Sequence, residues 1–253
     1  MLAELLNLNI FAFFLIFARL GTALIGMVGF SAAWVSPRFR LGIGLSISLV
    51  LLPVVGPDLP DIPGTTIELI ILMINEVIIG AFFAVLSLII IASLQTAGSI
   101  IALLSSMANA LIQDPLVEQQ SSTIAGFLAT VALTLVFVTD LYQVMLAALV
   151  DSYALFPPGA AFQWGDTANL IARRVADSFY LGLQMASPFL LTGLTYYFGI
   201  GLLGRLMPTL PIFFFGLPVQ ITMQIWVLIV SVSAIMLSFM NHFSEGYAPF
   251  LIP

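Results

Sequence analysis

The sequence predicts an all-α integral membrane protein with about six long apolar helices, and three observations carry that expectation. Hydrophobic residues make up 61% of the 253 positions. Charged residues make up 7%, against about 25% in ordinary soluble domains. Uncharged stretches recur at lengths that suit a hydrocarbon layer about 30 Å thick, which takes about 20 residues of helix to cross. Six arginines and twelve acidic residues, with no lysine, cannot solvate a surface of this size. The chain therefore belongs in a bilayer or inside a larger apolar assembly.

The same composition excludes several kinds of function. Without cysteine there are no disulfides and no thiolate metal sites. His242 is the only histidine, so most nucleophilic and general-base schemes lack their usual groups. An enzyme built on Asp and Glu alone would need two carboxylates converging in a pocket, and no spacing shows them. The net charge of −6 and the lack of a basic stripe remove the electrostatic footprint of a nucleic-acid binder. Nothing resembles a phosphate-binding P-loop, so the chain is not expected to hydrolyse nucleotide. No cofactor is implied. Met1-Leu2-Ala3-Glu4 lacks the basic start of a secretory signal, and we read it as mature sequence.

The apolar segments are expected at about 8–30, 41–56, 67–104, 124–149, 178–204 and 212–240. The first contains Arg19. The second is short for a crossing. The third contains Glu68 and Glu76, and then runs uncharged for 37 residues, from Val77 to Gln113. As one helix that run would reach about 56 Å at 1.5 Å per residue, far more than one crossing needs. Either it breaks near Gly98 or it continues within protein beyond the lipid. Pro157-Pro158-Gly159 closes the fourth segment. Trp164 to Asp177 carries Arg173, Arg174, Asp166 and Asp177 and reads as an interfacial helix. Pro188 and Pro218 lie inside the fifth and sixth segments, where they are expected to kink or break helices unless neighbours satisfy the freed backbone groups. Arg38, Arg40 and Arg205 favour cytoplasmic first and fifth loops, with both termini outside.

Arg19, Glu76 and Asp140 fall within apolar segments, where an unpaired charge costs several kcal/mol or more. They fit either an ion-coupled relay, as in a small-solute secondary transporter, or structural pairs that hold helices in register. The missing inverted repeats favour the structural reading. Small residues four apart promote close helix approach: Gly42 with Ser46, Gly44 with Ser48, Gly80 with Ala84, Gly98 with Ala102, and Gly182 with Ala186. The stretch from Ala97 to Ser122 passes from small apolar residues into a polar run containing Met. It reads either as an exposed loop or as a hinge that lines or stoppers an aqueous path, where a flexible Met can seal an irregular gap. Arg205-Leu206-Met207-Pro208, then Phe213, Gly216 and Pro218, describe a helical hairpin with a bent second arm.

Taken in order, these stretches resemble the FliR family of flagellar export-gate proteins, called SctT in injectisomes. The resemblance runs from about Arg19 to Glu245. Its parts are Arg19 with Pro37-Arg38-Phe39-Arg40-Leu41-Gly42-Ile43-Gly44 and Pro53; Ala97-Gly98 with Asp114-Pro115; Leu149-Val150-Asp151-Ser152-Tyr153 with Pro157 and Gly159; and Arg205-Leu206-Met207-Pro208 with Phe213, Gly216 and Pro218. The chain departs from the family pattern at Leu104-Ser105-Ser106, where Gln-Met-Gly is usual and Met107 lies one place beyond. It departs again at Tyr142-Gln143, where many members carry His, and at Thr209 and Pro211.

The resemblance implies a single non-enzymatic export-gate domain over 1–253, similar to a fusion of FliP-like and FliQ-like elements with broken helices and hairpins. It implies FliP-like and FliQ-like partners, FlhB-like and FlhA-like export proteins, unfolded export substrates, and a place in the bacterial inner membrane at the flagellar basal body. It also implies a pore plug over Ser105, Ser106, Met107, Asn109, Gln113, Asp114, Pro115, Glu118, Gln119 and Gln120. Arg19, Arg38, Glu76, Gly98, Asp140, Arg205, Pro208, Phe213, Gly216 and Pro218 are expected to serve structure or subunit contacts.

Overall fold

The computed structural model describes residues 2–32, 35–106, 123–160, 164–207 and 212–252. Among them there is no strand, and the regular structure is seven α-helices and two 3-10 turns. The helices are α1 (Leu2–Gly26), α2 (Pro37–Val55), α3 (Thr66–Leu104), α4 (Thr123–Val138), α5 (Leu141–Leu155), α6 (Trp164–Leu206) and α7 (Ile212–Tyr247). Four of them are long and apolar enough to cross a membrane: α2, α3, α6 and the part of α7 from Gly216 onward. The α4–α5 pair makes a fifth span if its two arms count as one.

Helix α2 starts four residues before the apolar segment that announced it. The Ser36 hydroxyl accepts a hydrogen bond from the Phe39 amide at 3.3 Å, and Pro37 occupies the first turn, where its missing N–H costs nothing. Arg38 and Arg40 are thereby drawn into the helix, which reaches 19 residues or about 28 Å. The segment that looked short for a crossing is long enough.

Helix α3 does not break at Gly98. It runs unbroken for 39 residues, about 58 Å, and ends at Leu104. Of the uncharged run, Val77 to Leu104 is helical, while Met107 to Gln113 lie outside the described residues. Gly98 is there for proximity: a Cβ on it would meet the backbone of Ala125 on α4. The helix tolerates the conformational cost of a glycine because the neighbouring helix needs that space.

The break falls instead in the fourth segment. Helices α4 and α5 meet at 74°, and Asp140 between them has φ +60°, ψ +14°. Aspartate is among the few side chains that enter this left-handed region at modest cost. Asp140 is thus an exposed turn residue between the two helices.

The interfacial helix expected over 164–177 is not separate. It is the first part of α6, a single helix of 43 residues. Arg173 and Asp177 interrupt the apolar window but lie at exposed positions, so they end the hydropathy signal and not the helix. Pro188 and Pro218 also leave their helices continuous. Each is followed four residues later by a threonine whose hydroxyl donates to the proline carbonyl, Thr192 to Pro188 at 2.9 Å and Thr222 to Pro218 at 2.8 Å.

The chain divides into two compact units. The first comprises residues 1–89, 137–174 and 244–253, and the second residues 90–136 and 175–243. In the first, α1 packs on α2, and Leu15, Ile16, Leu20 and Leu24 of α1, with Met27 just past its end, join Phe83 and Leu86 of α3 in the core. Gly80 sets the α1–α3 crossing: a Cβ there would overlap the Arg19 carbonyl and lie 2.9 Å from Thr22 Cβ, while one on Gly26 would lie 2.7 Å from Ala84 Cβ. Phe82 and Phe83 meet Phe250 edge-on, with ring centroids 5.6 and 5.2 Å apart. The Ile252 amide donates to Asp151 Oδ2 at 3.0 Å, tying the last described residues to α5. The second unit buries Leu94, Ala97 and Ile101 of α3, Leu128 and Ala132 of α4, and Met185 and Phe189 of α6. Gly182 lets α6 approach α3, since a Cβ on it would lie 2.9 Å from Thr96 Cβ. Gly44 likewise faces Phe17 and Leu24, whereas Gly42 has nothing within 4 Å. Gly42 therefore makes no close helix approach among the described residues.

Candidate functional site

Among the described residues, each unit buries a polar cluster that links several helices. In the first unit, Arg19 of α1 and Glu76 of α3 are both fully buried, 57 residues apart in sequence. Arg19 Nε donates to Glu76 Oε2 at 2.6 Å, and a terminal nitrogen donates to Oε1 at 3.1 Å. This fork-to-fork arrangement is the strong geometry for a guanidinium and a carboxylate. The same guanidinium donates to Ser152 Oγ at 3.1 Å and to the Phe156 carbonyl at 2.9 Å, both from the end of α5. Its central carbon stands 3.9 Å over the Tyr153 ring centroid, a cation–π contact. The Ser152 hydroxyl in turn donates a hydrogen bond to the Leu149 carbonyl at 2.6 Å.

Four of the five arginine N–H donors are therefore committed within the protein. Such a node holds α1, α3 and α5 in one register. It does not present a charge to a solute. Asp140, which the sequence placed beside Arg19 and Glu76, is exposed at the α4–α5 turn and takes no part. Of three candidate relay residues, the structure unites two and separates the third.

In the second unit the buried polar groups among the described residues are neutral. Gln220 of α7 is 3% exposed and Gln224, one turn further, is 1% exposed. Gln220 Nε2 donates to the Leu104 carbonyl at 2.6 Å and to the Tyr197 hydroxyl at 2.9 Å. Gln224 Oε1 lies 3.4 Å from the Thr192 hydroxyl, while its Nε2 has no partner among the described residues. An apolar cavity of about 320 Å³ lies against Gln224, Ser105, Thr123 and Phe127.

The other expected site residues divide into four groups. Ser105 is buried, and its hydroxyl donates to the Ile101 carbonyl at 2.6 Å; Ser106 follows with φ +56°. Met107, Asn109, Gln113, Asp114, Pro115, Glu118, Gln119 and Gln120, together with Pro208, lie outside the described residues. Arg38 and Arg205 are exposed at helix ends. Gly216 accepts a hydrogen bond on its carbonyl from the Tyr196 hydroxyl, linking α7 to α6; Phe213 and Pro218 lie in the same stretch of α7. Sequence reasoning missed Gln224, Thr192 and Tyr197. The signal was present as Gln220 and Gln224 four apart in an apolar helix, one polar face at helical spacing.

A helical chain of several apolar spans, with one arginine–glutamate pair buried and large apolar side chains facing outward, is a membrane protein. This chain belongs to the family of bacterial export proteins, family 1, whose family model matches residues 10–246. It is similar to the flagellar biosynthetic protein FliR of Caulobacter vibrioides, 35% identical over 231 residues that cover 91% of this chain and 92% of the relative. The protein of the same name in Bacillus subtilis is 26% identical, covering 92% and 90%. The Yop proteins translocation protein T of Yersinia pestis is 26% identical over 186 residues, covering 72% and 70%. The FliR resemblance read from the four motifs is borne out.

Proposed function

We propose that this chain is a core subunit of the flagellar type III protein export gate, helping to form and plug the pore through which unfolded flagellar proteins leave the cell. The observation that carries this is the family match across nearly the whole chain, together with a flagellar relative at 35% identity over 91% of it. The greater identity to that relative than to the translocation protein, 35% against 26%, favours flagellar over injectisome use. The chain is a membrane-embedded component of a type III export complex. Its immediate partners are FliP-like and FliQ-like subunits, with FlhB-like and FlhA-like proteins beside them, and the site is the inner membrane at the basal body.

Physical features support the reading. Leu49, Val50 and Val54 on α2, Phe198 on α6, and Trp226 and Val230 on α7 are each more than 60% exposed. Contiguous apolar faces of that kind need lipid or partner protein over them. Helix α3, far longer than one crossing, fits a chain enclosed partly by other subunits. The whole chain acts as one gate domain, with Ser105 to Gln120 as its plug. Energy for export comes from other subunits or from the proton gradient.

Mild detergent extraction of a tagged chain tests this. FliP-like and FliQ-like subunits are expected to co-purify in fixed ratio. Recovery as a monomer or homo-oligomer that moves a small solute would establish a secondary transporter instead.

A further inference from the structure

Local bonds meet only part of the last turn of helix α3. Its last turn holds no basic residue to meet the exposed carbonyls. Two local bonds form: the Ser105 amide donates to the Ile101 carbonyl at 2.9 Å, and the Ser106 amide to the Leu103 carbonyl at 3.3 Å. The Leu104 carbonyl is met from elsewhere in the fold. Gln220, 116 residues away on α7, donates to it at 2.6 Å.

We propose that Gln220, with Tyr197 beside it, is a positioning residue that sets where α3 ends and couples that end to the α6–α7 hairpin. Each N–H of the Gln220 amide has a directed acceptor, the Leu104 carbonyl on α3 and the Tyr197 hydroxyl on α6. Three helices therefore meet at one side-chain amide that is almost wholly buried. Close packing reinforces the junction: a Cβ on Gly193 of α6 would lie 3.4 Å from the Leu104 side chain and 3.3 Å from Gln224 Nε2. One turn along α7, Gln224 reaches Thr192 of α6 with only a long bond and leaves its own Nε2 unpaired. Gln220 is thus the firmly bonded rung and Gln224 the loose one. A shift of the hairpin that breaks the first bond frees the last carbonyl of α3. Ser106, two residues on, holds a left-handed backbone of the kind that commonly closes a helix.

The functional consequence rests on the export-gate reading, in that the end of α3 is proposed to lead into the seal. The test separates the two. The chain contains no cysteine, so spin labels on Leu103→Cys and Val219→Cys, both exposed, report the α3–α7 distance in the assembled complex. The complex is then made with Gln220→Met, similar in size but without a donor, and with Gln220→His, whose ring N–H extends about as far as the amide. Co-purification of partner subunits with the parent chain is scored separately and bears on the export-gate reading alone. The expected result is normal recovery of all three complexes, a distance distribution broadened by Gln220→Met and restored by Gln220→His, and ion leakage that follows the same order. An unchanged distribution in Gln220→Met would overturn the coupling. A broadened distribution in a complex as ion-tight as the parent would uphold the positioning role and overturn its link to the seal. Loss of the complex in both variants would also overturn it, by making the bond a plain requirement of folding.

Discussion

The two buried polar clusters hold their units with opposite chemistries. In the first unit a guanidinium and a carboxylate meet in a forked pair, and serine, a backbone carbonyl and a tyrosine ring complete the shell. In the second unit no charge is buried among the described residues; glutamines, a threonine and a tyrosine do the work with single hydrogen bonds. An ion pair in a low-dielectric interior tolerates no missing partner, because the group left behind is a bare buried charge. A neutral amide can lose one bond at modest cost, as the unpaired Gln224 Nε2 illustrates. The difference suits a division of labour, with a register fixed once in the first unit and a junction able to change in the second.

The largest effect is expected where charge is involved. Glu76→Gln leaves Arg19 buried without its carboxylate and should cost about 3–5 kcal/mol, seen as a lower melting temperature and poor recovery of the complex. Normal assembly with export that no longer depends on the proton gradient would reverse the comparison, making the node a relay. Gln220→Met leaves one buried carbonyl unmet and should cost about 1–3 kcal/mol, so the complex survives for the measurements described above. Asp140→Asn lies outside both clusters. Asparagine accepts the same left-handed backbone, so stability should change by less than about 0.5 kcal/mol and export should continue. A large loss of export in that variant would return Asp140 to the mechanism.

Much of this was legible in the sequence, and the failures have physical causes. A charge in an apolar run is conspicuous, so Arg19 and Glu76 stood out. Their pairing did not, because nothing local links residues 57 apart. Asp140 stood out for the same reason and misled, since hydropathy cannot distinguish a buried acid from an acid at a sharp bend between two apolar helices. Hydropathy windows also cut α6 at its charges, although backbone hydrogen bonding continues through solvated residues. Pro188 and Pro218 suggested broken helices, but the backbone continues through both. Gly80 and Gly98 were found from spacing alone because close approach demands small residues; Gly42 shows the same spacing with nothing against it. The glutamines escaped notice because neutral amides hardly dent an apolar average. The four motifs fixed the family because their order and spacing, more than any one of them, were distinctive.

The central claim is that this chain supplies the seal of a protein-conducting pore. Ion conductance of the purified complex in a planar bilayer tests it most directly, comparing the parent with a variant shortened between Ser106 and Gln119. The account predicts that the shortened chain still assembles with its partner subunits and that the resting complex then leaks ions. A shortened complex that assembles and stays as tight as the parent would contradict it.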